Sequence, residues 1–116
     1  MKPALKTCCV VIPVYKAIPG ANELSSFKQC LKILGTHPVV LAAPQTLDTK
    51  LYDEVSNGTV SVERFDDTYF KDLAGYNKLM LSATFYKRFA ASRYILIYQL
   101  DAWIFRDELN LSLIHI

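Results

Sequence analysis

The sequence predicts a layered α/β domain with a mainly parallel sheet and helices on both faces. Short apolar, β-branched runs at residues 7–14, 38–43 and 95–98 have the composition of strands covered on both sides. Helical-period stripes lie between them, at Leu24, Phe27, Leu31 and Leu34, and again at Leu73, Tyr76, Leu79, Met80, Ala83, Tyr86 and Phe89. The resulting order, β-α-β-α-β-α-β, favours right-handed crossovers and parallel neighbours.

The elements follow one by one. Residues 7–14, TCCVVIPV, form the first strand, which ends around Pro13 and Tyr15 and points the adjacent Cys8 and Cys9 to opposite faces. A loop through Pro19, Gly20 and Ala21 precedes the first helix, with Asn22 as its N-cap and Gly35 closing it. Residues 38–43, PVVLAA, give a second strand that Pro44 ends, and the polar segment holding Leu47, Leu51 and Tyr52 forms a short helix. Asn57-Gly58 marks a turn. Val60, Val62 and Phe65 alternate with Ser61, Glu63 and Arg64, the pattern of a half-buried or edge strand. Asp66, Asp67 and Tyr69 then lead into a long helix over residues 73–89, which runs directly into the fourth strand.

Composition bounds the function. A chain of 116 residues, 52% hydrophobic and 21% charged, is long enough for one small domain with a real core. A net charge of +2, with scattered Lys and Arg, excludes an electrostatic footprint for nucleic acid or an anionic membrane. Lys87, Arg88 and Arg93 are the nearest thing to a cluster and suit the solvated end of a helix. No apolar run reaches the roughly 20 residues of a bilayer span, and no secretion signal opens the chain, so a cytoplasmic protein without a transmembrane segment is expected. Three cysteines without a CxxC pair argue for reduced thiols and against zinc or thioredoxin-like chemistry. His37 and His115 have no Ser or Cys nucleophile placed to make a hydrolase triad.

Two strand ends can carry chemistry. If the first and fourth strands are neighbours across a topological switch point, Val14, Tyr15 and Lys16 meet Gln99 and Asp101 at the carboxyl edge, where open α/β sheets bind ligands. Tyr15 would stack on a base or hydrogen-bond a ribose, and Asp101 would accept from ribose hydroxyls or hold a divalent metal beside a diphosphate. The plainer role for Asp101, which follows an apolar strand in YILIYQLDAWIF, is to cap the next turn.

The residues also carry a resemblance. The opening CVVIPVYK looks like the first strand of inverting, family-2-like glycosyltransferases of the GT-A fold. The run from Glu63 to Leu109 resembles a glycosyltransferase-like domain family of unknown function, with its Gly-Tyr-Asn-Lys, Phe-Tyr-Lys-Arg-Phe and Gln-Leu-Asp-Ala-Trp blocks together. The likeness extends over residues 7–109. It implies a Rossmann-like, GT-A type three-layer α/β/α fold truncated after the fourth strand. Residues 1–109 would be the nucleotide-sugar-binding half, and 110–116 an atypical tail left by truncation.

The same resemblance implies a nucleotide-diphospho-sugar donor, an unknown acceptor, and Asp101 as the first acid of an Asp-x-Asp motif holding Mn²⁺ or Mg²⁺. Trp103 occupies the third position and cannot ligate a metal, and Asp107 stands at the wrong spacing. It also makes Tyr76, Asn77 and Lys78 candidates for contacting the nucleotide or diphosphate, since a helix N-terminus attracts phosphate and Lys78 adds a point charge. Asp66 and Asp67, after the third strand, would meet the base or ribose, or else be only a solvated pair of turn acids. The expected function is therefore donor binding for glycosyl transfer, in a chain catalytically incomplete by itself. The alternative is a non-catalytic α/β binding or interaction module. A receiver-like or flavodoxin-like domain fits the length and order but lacks the acidic cluster and the phosphate-cradling glycine loop those folds use.

Overall fold

The apolar runs become the inner strands of one sheet, and the polar breaks between them become its edges and turns. The computed structural model describes residues 8–92 and 94–100 and the backbone of Leu111–His115. The elements are β1 (Cys8–Pro13), α1 (Ala21–Leu34), β2 (Val39–Pro44), α2 (Lys50–Val55), β3 (Ser61–Phe65), a 3₁₀ turn (Asp67–Phe70), α3 (Leu73–Met80), α4 (Ala83–Lys87), β4 (Tyr94–Tyr98) and β5 (Leu111–His115). The sheet order is β3-β2-β1-β4-β5. The pairs β1–β2, β1–β4 and β2–β3 are parallel, with Val10 opposite both Val39 and Leu96. β1 and β4 are thus neighbours, as the switch-point expectation required, and β3 is the edge strand its alternating pattern implied.

Strand alternation sorts the core into two layers. Val10, Ile12 and Val14 of the first strand segment pack with Leu41, Ala43, Phe27, Cys30 and Tyr52 beneath α1 and α2. Cys9, Val11, Val40, Ala42, Ile95 and Ile97 face the other way, onto Leu79 of α3, Phe85 of α4, and Phe89. Phe85 is fully buried, with ring centroids 5.4 Å from Phe65, 5.0 Å from Tyr86 and 5.2 Å from Phe89. This is a Rossmann-like three-layer α/β/α arrangement. Cys8, Cys9 and Cys30 are free thiols, and Cys8 and Cys9 do diverge, since only Cys9 is buried.

Three local expectations change. The segment over 73–89, whose unbroken apolar stripe reads as one helix, is two helices with a break in the backbone between them. Leu81 closes α3 by donating its N–H to the Asn77 carbonyl at 3.1 Å, and the Ser82 hydroxyl caps α4 by accepting from the Phe85 N–H at 3.3 Å. α1 begins two residues earlier than an Asn22 cap requires. Gly20 is its N-cap, with the Gly20 N–H donating to Glu23 Oε1 at 2.8 Å and the Leu24 N–H to the Gly20 carbonyl at 2.8 Å.

The sheet also does not stop at its fourth strand. Leu111–His115 pairs antiparallel with β4, Leu111 opposite Tyr98 and His115 opposite Tyr94, so part of the segment expected to be a tail lies in the sheet. The Asn57-Gly58 turn is as expected, with φ of 56° and 74° in the left-handed region that Asn and Gly tolerate best.

Candidate functional site

The chain leaves β1 at the carboxyl edge of the sheet with β2 and β3 on one side of it and β4 on the other, which opens a crevice where the strand order reverses. A cleft of about 370 Å³ lies there, a size suited to a small ligand. Its walls come from three separate stretches: Pro13 at the end of β1 and Tyr15 just after it, Gln99 after β4, and Phe70, Lys71, Asp72, Leu73 and Tyr76 from the 3₁₀ turn and α3. Tyr15 is 49% exposed and Leu73 is 73% exposed, so the cleft presents apolar and aromatic surface to solvent.

Each wall is fixed by identifiable contacts. The Val14 N–H donates to the Ala42 carbonyl at 2.9 Å, which carries the parallel ladder one step past β1 and leaves Val14 buried. Tyr52, buried in α2 and edge-on to Phe27, donates its hydroxyl to the Lys16 carbonyl at 2.7 Å and pins the loop that carries Tyr15. Lys16 Nζ donates to Glu23 Oε1 at 3.1 Å and stands 5.5 Å from the centre of the Tyr15 ring. On the opposite wall Asp72 is the N-cap of α3, accepting from the Gly75 N–H at 2.8 Å. Gly75 is needed because the 3₁₀ turn lies against it: a Cβ there would sit 2.5 Å from the Thr68 carbonyl oxygen. Across the floor Gln99 Nε2 donates to the Tyr76 hydroxyl at 2.5 Å, joining the end of β4 to α3.

The residues singled out from the sequence separate into groups. Tyr15, Tyr76 and Gln99, far apart in the chain, converge on the cleft, whereas Val14 is buried in the core layer under α1 and α2 and does not line it. Asn77 and Lys78 are exposed and do not line it. They also do not stand at a helix start, because α3 begins at Leu73 and Lys78 falls in its last turn, so the dipole argument for them lapses.

Asp66 and Asp67 are engaged elsewhere. Asp66 accepts from the Thr68 N–H at 2.9 Å and its hydroxyl at 2.8 Å, and Asp67 accepts from the Thr46 hydroxyl at 2.6 Å. The Thr68 amide holds the first carboxyl below the usual carboxylate range, and the Thr46 hydroxyl does the same for the second. Both therefore organise the loops around β3. Asp101, Trp103 and Asp107 lie outside the described residues.

Phe70, Lys71, Asp72 and Leu73 are the cleft residues the sequence did not single out. Asp72 before an apolar helical stripe was a readable N-cap signal, but nothing local tells that its neighbours face the end of β4.

Residues 59–114 match the model of a family described as "Protein of unknown function (DUF5672)". The matched stretch runs from just before β3 into β5 and includes Lys71, Tyr76 and Gln99, while Tyr15 precedes it. The chain matches no curated protein and no solved structure. Among the described residues no helix is long and apolar enough to cross a membrane.

Proposed function

We propose that the cleft is the donor site of a GT-A type glycosyltransferase-like protein, binding a nucleoside diphosphate sugar for transfer to an acceptor not yet known. One observation carries this reading: Tyr15, Tyr76 and Gln99 meet in a cleft between the carboxyl ends of β1 and β4, the switch point at which open parallel sheets bind nucleotides. The family model matched by residues 59–114 carries no assigned activity, so the glycosyl-transfer part rests on the resemblance of CVVIPVYK and of the Gly-Tyr-Asn-Lys and Gln-Leu-Asp-Ala-Trp blocks.

In this reading the Tyr15 ring gives the base or ribose a flat surface, and the tied Gln99–Tyr76 pair offers polar atoms to the ligand at the floor. Asp101, directly after Leu100, is proposed to accept from the ribose or to carry a Mn²⁺ or Mg²⁺ ion. The described side chains do not make that metal site themselves. Among them no group of three His, Cys, Asp or Glu could hold an ion, and the cleft carboxylate Asp72 already caps α3.

Calorimetric titration of the chain with UDP-, GDP- and ADP-sugars tests the proposal. Binding of one of them, weakened at least about tenfold by Asp101→Asn or by Gln99→Ala, is the expected result. Unchanged affinity in both variants would remove the site from the cleft. Absence of binding to the wild-type chain, with Asp101→Asn lowering stability, would favour the non-catalytic module.

A further inference from the structure

If the cleft receives a nucleoside diphosphate, something must face two negatively charged phosphates, and cations among the described residues can be sorted by where they already point. Lys16 is drawn to Glu23 at 3.1 Å. Arg64 turns inward and donates to the Pro44 and Leu47 carbonyls, and Arg88 pairs with Glu63 at 2.8 Å while lying over the Phe65 ring. Lys78, the cation the sequence suggested, sits in the last turn of α3 away from the cleft. Lys71 differs from all of these. It is exposed, it lines the cleft between Phe70 and Asp72, and among the described residues it makes no ion pair within 4 Å, although its charge acts at longer range on the Asp66 carboxylate, which is itself held by Thr68. Its acidic neighbour Asp72 is turned back onto the Gly75 amide.

We infer that Lys71 is the residue that holds the phosphate end of the ligand, and so sets the cleft's preference for a diphosphate over an uncharged nucleoside. This assignment rests on the donor-site reading above. Its chemical basis is simple. An ammonium held at the rim of a partly apolar cleft loses little by staying solvated in the free protein, and gains a charge-assisted hydrogen bond when a phosphate oxygen arrives. Departure of a nucleoside diphosphate places further negative charge on the same oxygens, so the same contact would strengthen along the reaction.

The test is titration of the whole chain with UDP, GDP and ADP, with and without added Mg²⁺, comparing wild type with Lys71→Ala, Lys71→Arg and Lys28→Ala. Lys28 is exposed on α1, remote from the cleft lining, and serves as a charge-matched control. The expected result is a Kd for the bound nucleotide about tenfold or more higher in Lys71→Ala, largely restored in Lys71→Arg, and within about twofold of wild type in Lys28→Ala. Because Lys71 is exposed, thermal melts of the variants should coincide with wild type, which separates lost binding from lost folding. Binding by wild type and equally by Lys71→Ala overturns the Lys71 assignment alone. Absence of diphosphate binding by wild type overturns the donor-site reading, and the assignment with it.

Discussion

Replacing Tyr52 by Phe removes one oxygen atom and little else, which makes it a sharp probe of how the fold holds its cleft. The ring keeps its place: it is buried, and it meets Phe27 edge-on with centroids 5.3 Å apart at 88°. What disappears is the 2.7 Å hydrogen bond from the hydroxyl to the Lys16 carbonyl, the tie between α2 and the loop that follows β1. A buried hydrogen bond of this kind contributes about 0.5–1.5 kcal/mol net, and the stranded carbonyl can recover part of that from water because Lys16 lies at the surface.

The expected loss is therefore about 1 kcal/mol, or roughly 4–8 °C in Tm for a domain near this size. Urea denaturation followed by circular dichroism gives the free energy, and an unchanged m-value would show that the folded state stays compact. Since Tyr15 is the residue next to the released carbonyl, nucleotide binding should weaken modestly as well, by a few-fold. A variant as stable as wild type would refute the tie, and a loss above about 3 kcal/mol would mean that the ring itself had moved.

Three further substitutions and one titration follow from the same structure. Gly75→Ala should destabilise the chain by about 1 kcal/mol or more in thermal melts, although Ala is the better helix former, because the new Cβ would meet the Thr68 carbonyl oxygen at 2.5 Å and the Tyr69 Cα at 3.2 Å; a stabilised variant would contradict the packing of the 3₁₀ turn on α3. Phe85→Ala should cost about 3–5 kcal/mol by urea denaturation, since the ring is fully buried among Phe65, Tyr86 and Phe89, whereas Leu81→Ala, at 86% exposure, should change stability by less than about 0.5 kcal/mol.

Stability should also fall on the alkaline side. Burial pushes the Cys9 and Cys30 thiols up to about 11 from an ordinary 9.0, and the Tyr52 hydroxyl up to about 12 from 10.0. Above pH 9 the unfolded chain releases protons that the folded chain retains, so this stabilisation is complete below pH 9 and is lost as pH rises through the folded values. Urea midpoints between about pH 8 and 11 should decline, less steeply in Cys9→Ala/Cys30→Ala; a flat profile would contradict the burial of these groups.

The sheet was readable because its inner strands are covered on both faces and therefore written as continuous apolar runs. CCVVIP and VVLAAP sit where composition put them, and YILIY falls beside β1 as the switch point required. The edge strand could be told from these by its alternation alone. The break between α3 and α4 could not, because Leu79, Met80, Tyr86 and Phe89 keep one apolar face on both sides of it, and only the Ser82 cap marks the interruption. β5 follows from pairing with a strand whose partner lies more than ten residues away in sequence, a contact that local pattern does not specify.

The site divides along the same line. Tyr15 and Gln99 were legible because strand ends at a switch point are predictable from topology, whereas Phe70, Lys71 and Leu73 reach the cleft only through the close approach of the 3₁₀ turn to Gly75. Asp67 looked available in sequence and is instead committed to Thr46, twenty-one residues earlier.

The central claim is that a nucleoside diphosphate sugar binds between β1 and β4 at the carboxyl edge of the sheet, and its most direct test is a two-dimensional NMR titration of the isotope-labelled chain. Amide and side-chain shifts should move, saturably, at Tyr15, Lys71, Tyr76 and Gln99, while residues at the opposite edge such as Gly35 and His37 stay still. Saturable shifts confined to any other surface, or none at any nucleotide sugar concentration reached, would contradict it.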